Sequence, residues 1–148
     1  DEKREKIKLV HKNANLMGFQ SHKNVLNLFK KSSIAVVCSR WEEPFGRTSL
    51  EAAANGCAVI ISGRGGLPET VTNAIILKKL SVNELKKNIL ILIKDSRKRN
   101  LLQTLSIENF YLTHKYVSNL IDTYRDEKIE NIHIFFTKKK KNHYVFFT

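Results

Sequence analysis

The sequence predicts an α/β domain built on a Rossmann-like parallel sheet flanked by helices. Two short apolar runs rich in β-branched residues, Ile34 to Ser39 and Ala58 to Ser62, are typical of strands buried on both faces. Each run is followed by a loop that contains glycine and then by a helical segment. Because such strand–loop–helix units join parallel strands through right-handed crossovers, we expect both loops at the same edge of the sheet.

Length and composition indicate one globular domain with tails. The 148 residues suffice for a single hydrophobic core, with 42% apolar and 27% charged residues. Lys and Arg total 26 against 14 acidic residues, and the net charge of +12 favours anionic partners. We expect no nucleic-acid partner, but a basic nucleic-acid binder stays open as an alternative and predicts steeply salt-dependent binding.

Cysteine usage and hydropathy narrow the class of protein further. Cys38 and Cys57 lie in the apolar runs without the spacing or the histidine partners of a metal site. We therefore interpret both as reduced core residues and expect no bound metal. No apolar run approaches the roughly 20 residues that span a bilayer. These features predict a cytoplasmic protein, with peripheral contact at the inner face of the membrane left open.

The N-terminal segment is expected to contribute two helices around a short strand. Asp1 to Lys12 has the pattern of the end of a helix, which suggests a domain that is incomplete at its N-terminal side. Asn15 to Phe19 has the pattern of a short strand and is followed by a loop. Ser21 or Asn24 would cap the next helix, whose C-terminal lysines complement the helix dipole.

Helical segments are expected after each buried strand. Leu50 to Asn55 is rich in alanine and stops at Gly56, which suits a tightly packed helix ended by a left-handed glycine. The loop G-R-G-G-L-P-E follows the second strand and leads into a short helix with Pro68 in its first turn. Ile75 to Leu77 is predicted to form one more short strand.

The C-terminal part is predicted to be helical, with an uncertain tail. Ser81 and Glu84 have the spacing of a capping box that opens a helix. Ser96 to Asn100 is interpreted as a polar, basic break, and Leu101 to Ile129 as one or two amphipathic helices. The domain is thus expected to cover residues 1–129. The basic and aromatic tail at 130–148 is a hairpin, a membrane-surface patch or an unstructured end.

The loop after the first buried strand carries the candidate site and reads W-E-E-P-F-G-R-T-S-L-E from Trp41 to Glu51. Two of its glutamates, Glu43 and Glu51, have seven residues between them. Ligands of parallel sheets bind outside the carboxyl ends of the strands, where the free N–H groups of helix N-termini converge. Gly46 leaves the approach to such N–H groups open, which is what a diphosphate requires.

Five segments of the chain follow one another in the order and spacing of a known family. They are G-F at 18–19, C-S at 38–39, E-E-P-F-G-R-T-S-L-E-A at 42–52, N-G-C-A-V-I at 55–60 and G-G-L-P-E-T-V at 65–71. Together they resemble the C-terminal half of a retaining nucleotide-sugar glycosyltransferase of the GT-B fold, in the family called group 1 or family 4. The resemblance covers roughly residues 13–125.

The resemblance implies a hexosyltransferase-type enzyme that transfers a sugar with retention of configuration. The donor would be a UDP-, GDP- or ADP-sugar and the acceptor a glycan or a lipid-linked acceptor, without a metal or another cofactor. Glu43 would hold hydroxyls of the transferred sugar at the catalytic position, and Glu51 would hold the ribose. The other residues implied in donor binding are Gly18, Phe19, Gln20, Ser39, Phe45, Gly46, Arg47 and Thr48.

Structural interpretations of the same motif stay open. Thr48 and Glu51 have the spacing of a capping box, so Glu51 could close the helix start as well as bind a ligand. Pro44 and Gly46 could serve only a tight turn. Glu69 suits the dipole of a helix start better than a role in substrate binding.

Three neighbouring residues receive weaker interpretations. We interpret Trp41 as a packed aromatic at the edge of the cleft and Glu42 as a solvated neighbour. Gly65 and Gly66 would let their loop approach the donor. His22 lies beside the loop that would meet the base, and a ligand role for it stays open.

The chain departs from the family pattern at its start. The family usually carries an Arg and a Lys further upstream that clamp the pyrophosphate, and an N-terminal domain that binds the acceptor; neither is found in this sequence. The alternative function is therefore a non-catalytic or truncated nucleotide-binding module that is inactive without a partner domain.

Overall fold

The computed structural model describes residues 12–140, so the helix expected at residues 1–12 lies almost entirely outside the described part. Internal contacts divide the chain into two compact units, Asp1–Ile107 and Glu108–Thr148. The domain boundary expected at residues 129 and 130 therefore falls inside the second unit.

A parallel three-stranded sheet lies at the centre of the first unit and confirms the predicted fold class. Its strands are β1 (Ile34–Val37), β2 (Ala58–Ser62) and β3 (Ala74–Leu77), in the order β1-β2-β3. Every residue of the central strand β2 is buried. Its continuous apolar run is what a strand with neighbours on both edges and helices on both faces requires.

Helices precede and follow the strands. They are α1 (His22–Lys30), α2 (Arg47–Ala54), a 3₁₀ turn (Leu67–Glu69), α3 (Val82–Lys94), α4 (Ser96–Glu108) and α5 (His114–Lys140). The predicted cap of α1 is Ser21, whose side chain accepts a hydrogen bond from the Asn24 N–H at 3.4 Å. Pro68 lies in the first turn of the 3₁₀ segment, as predicted.

The sheet separates two hydrophobic cores because side chains alternate along β2. Val59 packs with Ala52 of α2 on one face, where α1 also contributes. Ile60 packs with Leu92 of α3 on the other face, where α4 contributes. The unit is thus a helix–sheet–helix sandwich around the central strand.

The strand predicted at Asn15 to Phe19 is wrong, because this segment has no regular structure. Leu16 is 64% exposed and Phe19 is 99% exposed. Within residues 12–140 the sheet contains only β1, β2 and β3, so no strand pairs with this segment. A strand without a partner leaves its backbone groups unpaired and is not formed.

Two helix starts also differ from the prediction. Helix α2 begins at Arg47 rather than at Leu50, because Gly46 supplies its N-cap. Helix α4 begins at Ser96, so the polar break predicted from Ser96 to Asn100 is wrong. Its first turn is capped by Asp95, whose Oδ1 accepts from the Lys98 N–H at 2.9 Å, and Arg and Lys are good helix formers.

The capping box predicted for α3 is half formed. The Ser81 hydroxyl accepts from the Glu84 N–H at 3.3 Å, as expected. The Glu84 carboxylate does not return to Ser81 but accepts from the N–H groups of Lys78 and Lys79, at 2.7 and 2.8 Å. It therefore fixes the turn that joins β3 to α3.

The two cysteines differ in exposure. Cys57 is fully buried, as predicted, and its thiol donates to the Phe29 carbonyl at 3.3 Å. Cys38 is exposed, so it is not the core residue that the apolar run predicted. Partial loss of hydration raises the pKa of both thiols, even for Cys38, which is exposed as a whole residue and for which a hydrogen bond from the backbone of Ser62 partly offsets the effect.

The second unit consists mainly of α5. Its start is capped by Thr113, whose hydroxyl accepts from the Tyr116 N–H at 3.1 Å. Arg125 bridges Asp122 and Asp126, at 3.0 and 3.1 Å. The helix continues to Lys140, so residues 130–140 are neither a hairpin nor unstructured, and residues 141–148 lie outside the described part. Within residues 12–140, no helix has the length and apolar character needed to cross a bilayer.

Candidate functional site

The candidate site is built from two loops that leave the carboxyl ends of β1 and β2. We call residues 38–46 the first loop and residues 63–66 the second loop. The Ser62 hydroxyl ties the strand ends together, because it accepts from the Ser39 N–H at 2.9 Å and donates to the Ser39 carbonyl at 3.1 Å. The loops emerge at the same edge of the sheet, as the parallel pairing requires.

Gly46 joins the first loop to α2 in a conformation that favours glycine. It is buried, has a φ of +84° and serves as N-cap, and its carbonyl accepts from the Ser49 N–H at 3.1 Å. The N–H groups of Arg47 and Thr48 have no acceptor among the residues that the structure describes. These free donors at a helix N-terminus are suited to an anion.

The second loop packs directly on the backbone of the first. The Gly66 N–H donates to the Glu43 carbonyl at 2.6 Å. A Cβ at Gly65 would overlap the backbone of Glu43, and a Cβ at Gly66 would lie 2.7 Å from the Pro44 carbonyl oxygen. The two glycines therefore allow close contact between the loops.

Glu42 is exposed, as the sequence suggested, but its carboxylate also has two partners in the second loop. Its Oε1 lies 2.8 Å from Nη1 of Arg64, and its Oε2 accepts from the Gly65 N–H at 2.7 Å. The hydrogen bond from Arg64 and then that from Gly65 lower the pKa of the Glu42 carboxyl. Glu42 is thus an ionised link between the two loops.

Glu51 is engaged by two side chains at one oxygen. Its Oε1 lies 2.7 Å from Nε of Arg47 and 2.8 Å from Nε2 of His22. Burial raises the pKa of Glu51, but the hydrogen bonds and the charges of Arg47 and His22 together outweigh it, and the pKa lies below its ordinary value. The capping box with Thr48 is not formed, since Gly46 is the N-cap. Glu51 is therefore an ionised acceptor near the start of α2.

Glu43 differs from the other two glutamates of the motif. Its side chain is half-buried, and its carboxylate has no hydrogen-bond or ion-pair partner within the described part of the chain. Only its backbone is used, by the bond from Gly66. An unpaired carboxylate at the edge of a parallel sheet is available to accept bonds from hydroxyl groups.

The segment expected to meet a base lies before α1. Gly18 has a φ of +60° and open space around it. Phe19 is almost fully exposed, and the Gln20 side-chain amide donates to the Met17 carbonyl at 2.5 Å. The bond from His22 to Glu51 connects the helix after this segment with α2. That connection is the structural link between the two parts of the predicted site.

The aromatic residues of the first loop are more exposed than expected. Trp41 is 81% exposed, so the packed position predicted for it is wrong, and Phe45 is 52% exposed. The hydroxyl of Ser39 accepts from the Trp41 N–H at 3.0 Å and so serves its own turn. An exposed ring beside free N–H groups offers a face on which a flat or sugar ring can stack.

A buried hydroxyl pair supports the site and was missed by the sequence reasoning. Ser49 Oγ lies 2.6 Å from the Gly46 carbonyl and 2.8 Å from Oγ1 of Thr70, which in turn donates to the Leu67 carbonyl at 2.9 Å. The feature of the sequence that could have indicated this pair is a single serine in an alanine-rich helix, at a position that faces the core. The pair joins the start of α2 to the 3₁₀ turn after the second loop.

Other candidate ligand sites are weaker. No group of three or more His, Cys, Asp or Glu residues suited to a metal ion occurs in residues 12–140. A cavity of about 860 Å³ is an open groove along α3 and the start of α4, lined by Lys86, Leu90 and Lys94 among others. It shares no residue with the two loops, and α3 and α4 cover the sheet face opposite α2. The groove is therefore separate from the candidate site.

Comparison with known proteins agrees with this geometry. The model of the family described as glycosyl transferases group 1 matches residues 2–108. The chain belongs to the group 1 glycosyltransferases. Both loops, α1, α2 and the sheet of this group 1 glycosyltransferase chain lie within the matched residues.

One curated relative is similar over a shorter stretch. Fifty-three residues of the group 1 glycosyltransferase chain are 40% identical to spore coat protein SA of Bacillus subtilis (strain 168). The matched stretch makes up 36% of this chain and 14% of that protein. The similarity therefore concerns a small part of the relative and supports the family.

Proposed function

We propose that this chain binds the nucleotide-sugar donor of a retaining glycosyltransferase, as the C-terminal, donor-binding half of a GT-B enzyme. The observation that carries the proposal is the start of α2. There the N–H groups of Arg47 and Thr48 follow Glu43 and precede Glu51 in sequence; among residues 12–140 neither these N–H groups nor the Glu43 carboxylate has a partner, and Glu51 is ionised. A diphosphate suits the N–H groups and hydroxyl-rich rings suit the carboxylates.

In this proposal each part of the donor has its own contacts. The diphosphate lies at the N–H groups that follow Gly46, which stabilise the charge that develops as the pyrophosphate leaves. Glu43 accepts from hydroxyls of the transferred hexosyl group, and Glu51 accepts from the ribose. The exposed segment from Gly18 to Gln20 meets the base. The donor is a UDP-, GDP- or ADP-sugar, and no metal takes part in its binding.

The acceptor and its location belong to the same proposal. A second Rossmann-like domain would bind the acceptor, which is a glycan or a lipid-linked molecule. The transfer would take place in the cytoplasm. For a lipid-linked acceptor, the protein would make peripheral contact with the membrane. The activity proposed is hexosyl transfer to that acceptor with the anomeric configuration kept.

Calorimetric titration of the chain with UDP, GDP and ADP and their sugar conjugates tests the proposal. We expect saturable binding of one nucleotide, weakened in Glu51→Ala by about 1–3 kcal/mol, as for a lost hydrogen bond to a charged group. Glu43→Ala should weaken the sugar conjugate more than the free nucleotide, because only the conjugate carries the sugar. Glu108→Ala, at the exposed end of α4, is the matched control. Absence of binding for all six ligands would refute the proposal.

A specific observation favours the alternative of a nucleotide-binding module without catalysis. The arginine at the start of α2 and the arginine of the second loop are already paired, Arg47 with Glu51 and Arg64 with Glu42. Paired guanidinium groups contribute less to stabilising a leaving diphosphate than unpaired ones. Tight nucleotide binding without sugar transfer, measured in the presence of a separately added acceptor domain, would support the module. Transfer with retention, followed by NMR of the anomeric proton, would support the enzyme.

A further inference from the structure

The carboxylate of Glu42 uses both of its oxygens on the second loop. Oε1 lies 2.8 Å from Nη1 of Arg64, and Oε2 accepts from the Gly65 N–H at 2.7 Å. Neither of these partners is a neighbour of Glu42 in sequence. Two bonds from one side chain fix direction as well as distance, since rotation of the carboxylate would break at least one of them.

Backbone contacts between the loops continue from this point. One residue after Glu42, the Glu43 carbonyl accepts a hydrogen bond from the Gly66 N–H at 2.6 Å. Further along, a Cβ on Gly46 would lie 2.7 Å from Cδ2 of Leu67. The loops thus run side by side from Glu42 to Gly46. The glycines allow the two loops to pack closely. The charged hydrogen bonds of Glu42 fix which residues of the two loops lie opposite each other.

We propose that Glu42 is a positioning residue for donor binding: it holds the second loop against the first and thereby fixes the backbone from Glu43 to Gly46. This inference rests on the proposed function, because the backbone in question presents the N–H groups and the Glu43 carboxylate to the donor. The Glu42 side chain itself bonds neither to those N–H groups nor to the Glu43 carboxylate. The Gly66 N–H holds the backbone carbonyl of Glu43, and the Glu43 carboxylate has no partner within residues 12–140.

The first test needs no ligand and reads the loop contact by NMR of the ¹⁵N-labelled chain. An amide that donates to a carboxylate changes its chemical shift as the carboxylate titrates. We expect the Gly65 amide shift to follow an acid titration with a midpoint below the roughly 4.3 of a free glutamate. In Glu42→Gln this pH dependence should disappear, and hydrogen exchange at Gly65 should become faster at neutral pH. In Glu108→Gln neither should change.

The second test measures affinity for the nucleotide that binds the wild-type chain best. We expect Glu42→Gln to weaken it about two- to fivefold, the size typical of exposed charged contacts. Arg64→Gln keeps the bond to Gly65 and should lose less. The affinity of the wild-type chain should also fall as the pH drops through the titration seen at Gly65, and Glu42→Gln should lack this component. A residue that serves only stability would not produce such a pH profile in a chain that stays folded.

Failure of the inference and failure of the proposed function give different results. A Gly65 amide that does not titrate, or that is unchanged in Glu42→Gln, overturns the link between the loops. A responsive Gly65 amide combined with unchanged affinity in Glu42→Gln overturns the positioning role, while donor binding stands. A wild-type chain that binds no nucleotide overturns both the proposed function and the positioning role, even where the Gly65 amide titrates as expected.

Discussion

Nε2 of His22 lies 2.8 Å from Oε1 of Glu51, and this contact joins the start of α1 to α2. Arg47 reaches the same oxygen at 2.7 Å. The Glu51 side chain is only 16% exposed, and two donors converge on one of its carboxylate oxygens. Both contacts are at Oε1, so under the proposed function Oε2 is the oxygen that accepts from a ribose hydroxyl.

The first prediction concerns the pKa of Glu51 in the double variant His22→Ala/Arg47→Ala. The two hydrogen bonds lower this pKa and burial raises it, so removing both donors should raise the pKa above the wild-type value. Side-chain ¹³C NMR titration measures the change. His114→Ala, which alters an exposed histidine at the start of α5, is the control. A pKa that stays at or below the wild-type value would show that the two contacts do not exist in solution.

A second prediction concerns Gly46→Ala, compared with Gly18→Ala. Both glycines have positive φ, for which another residue loses about 1–2 kcal/mol of stability. At Gly46 the new Cβ would also lie 2.7 Å from Leu67 Cδ2, while Gly18 has nothing within 4 Å. We therefore expect Gly46→Ala to cost about 1–3 kcal/mol more, as in overpacked cores. Equal losses in urea unfolding followed by circular dichroism would contradict the close contact with Leu67.

A third prediction concerns the buried hydroxyls of Ser49 and Thr70. Only two hydroxyl protons are available for these three contacts, so a hydroxyl that donates to the other leaves its own carbonyl without that donor, and the two groups are coupled. Ser49→Ala and Thr70→Val should each cost about 1–3 kcal/mol, because each leaves a buried polar atom less well satisfied. The double variant should cost less than the sum of the two, which a double-mutant cycle in urea measures. Additive losses would mean that the hydroxyls do not interact.

A fourth prediction concerns stability in acid. The pKa values of Glu42 and Glu51 are lowered in the folded chain. Their contribution is therefore fully present above the unfolded value of about 4.3 and is lost as the pH falls through the lower folded values. The stability gap between the wild-type chain and Glu42→Gln/Glu51→Gln should be largest at pH 7 and should close towards pH 3. Urea unfolding at several pH values checks this, with Glu108→Gln as control, and a gap independent of pH would refute it.

The sequence predicted the parts of the fold that depend on local pattern. The apolar run of β2 was predicted from Ala58 to Ser62, the bounds that the structure gives. The cap of α3 at Ser81 was also predicted, since side-chain capping acts over three residues. The helix start at Arg47 was placed three residues too late, because alanine content marks the middle of a helix and the left-handed Gly46 marks its beginning.

Contacts between distant segments could not be predicted. Glu42 looked like one more charged loop residue, and its bonds to Arg64 and Gly65 depend on how the second loop folds back. The role of His22 depends in the same way on the packing of α1 against α2. The prediction of a strand before α1 was wrong. The segment has a suitable residue pattern, but no strand of the described sheet pairs with it.

The sequence by itself determined the class of fold, the two strand ends that carry the site and the residue types suited to a diphosphate and hydroxyl groups. These follow from hydrophobic pattern, from glycine and from the motif at Trp41 to Glu51, all of which are local. Tertiary structure alone decided which of the three glutamates has partners: Glu42 binds the second loop, Glu51 binds His22 and Arg47, and Glu43 is unpaired in the described chain. The reason is physical, since a carboxylate takes its role from the donors that the fold brings within about 3 Å.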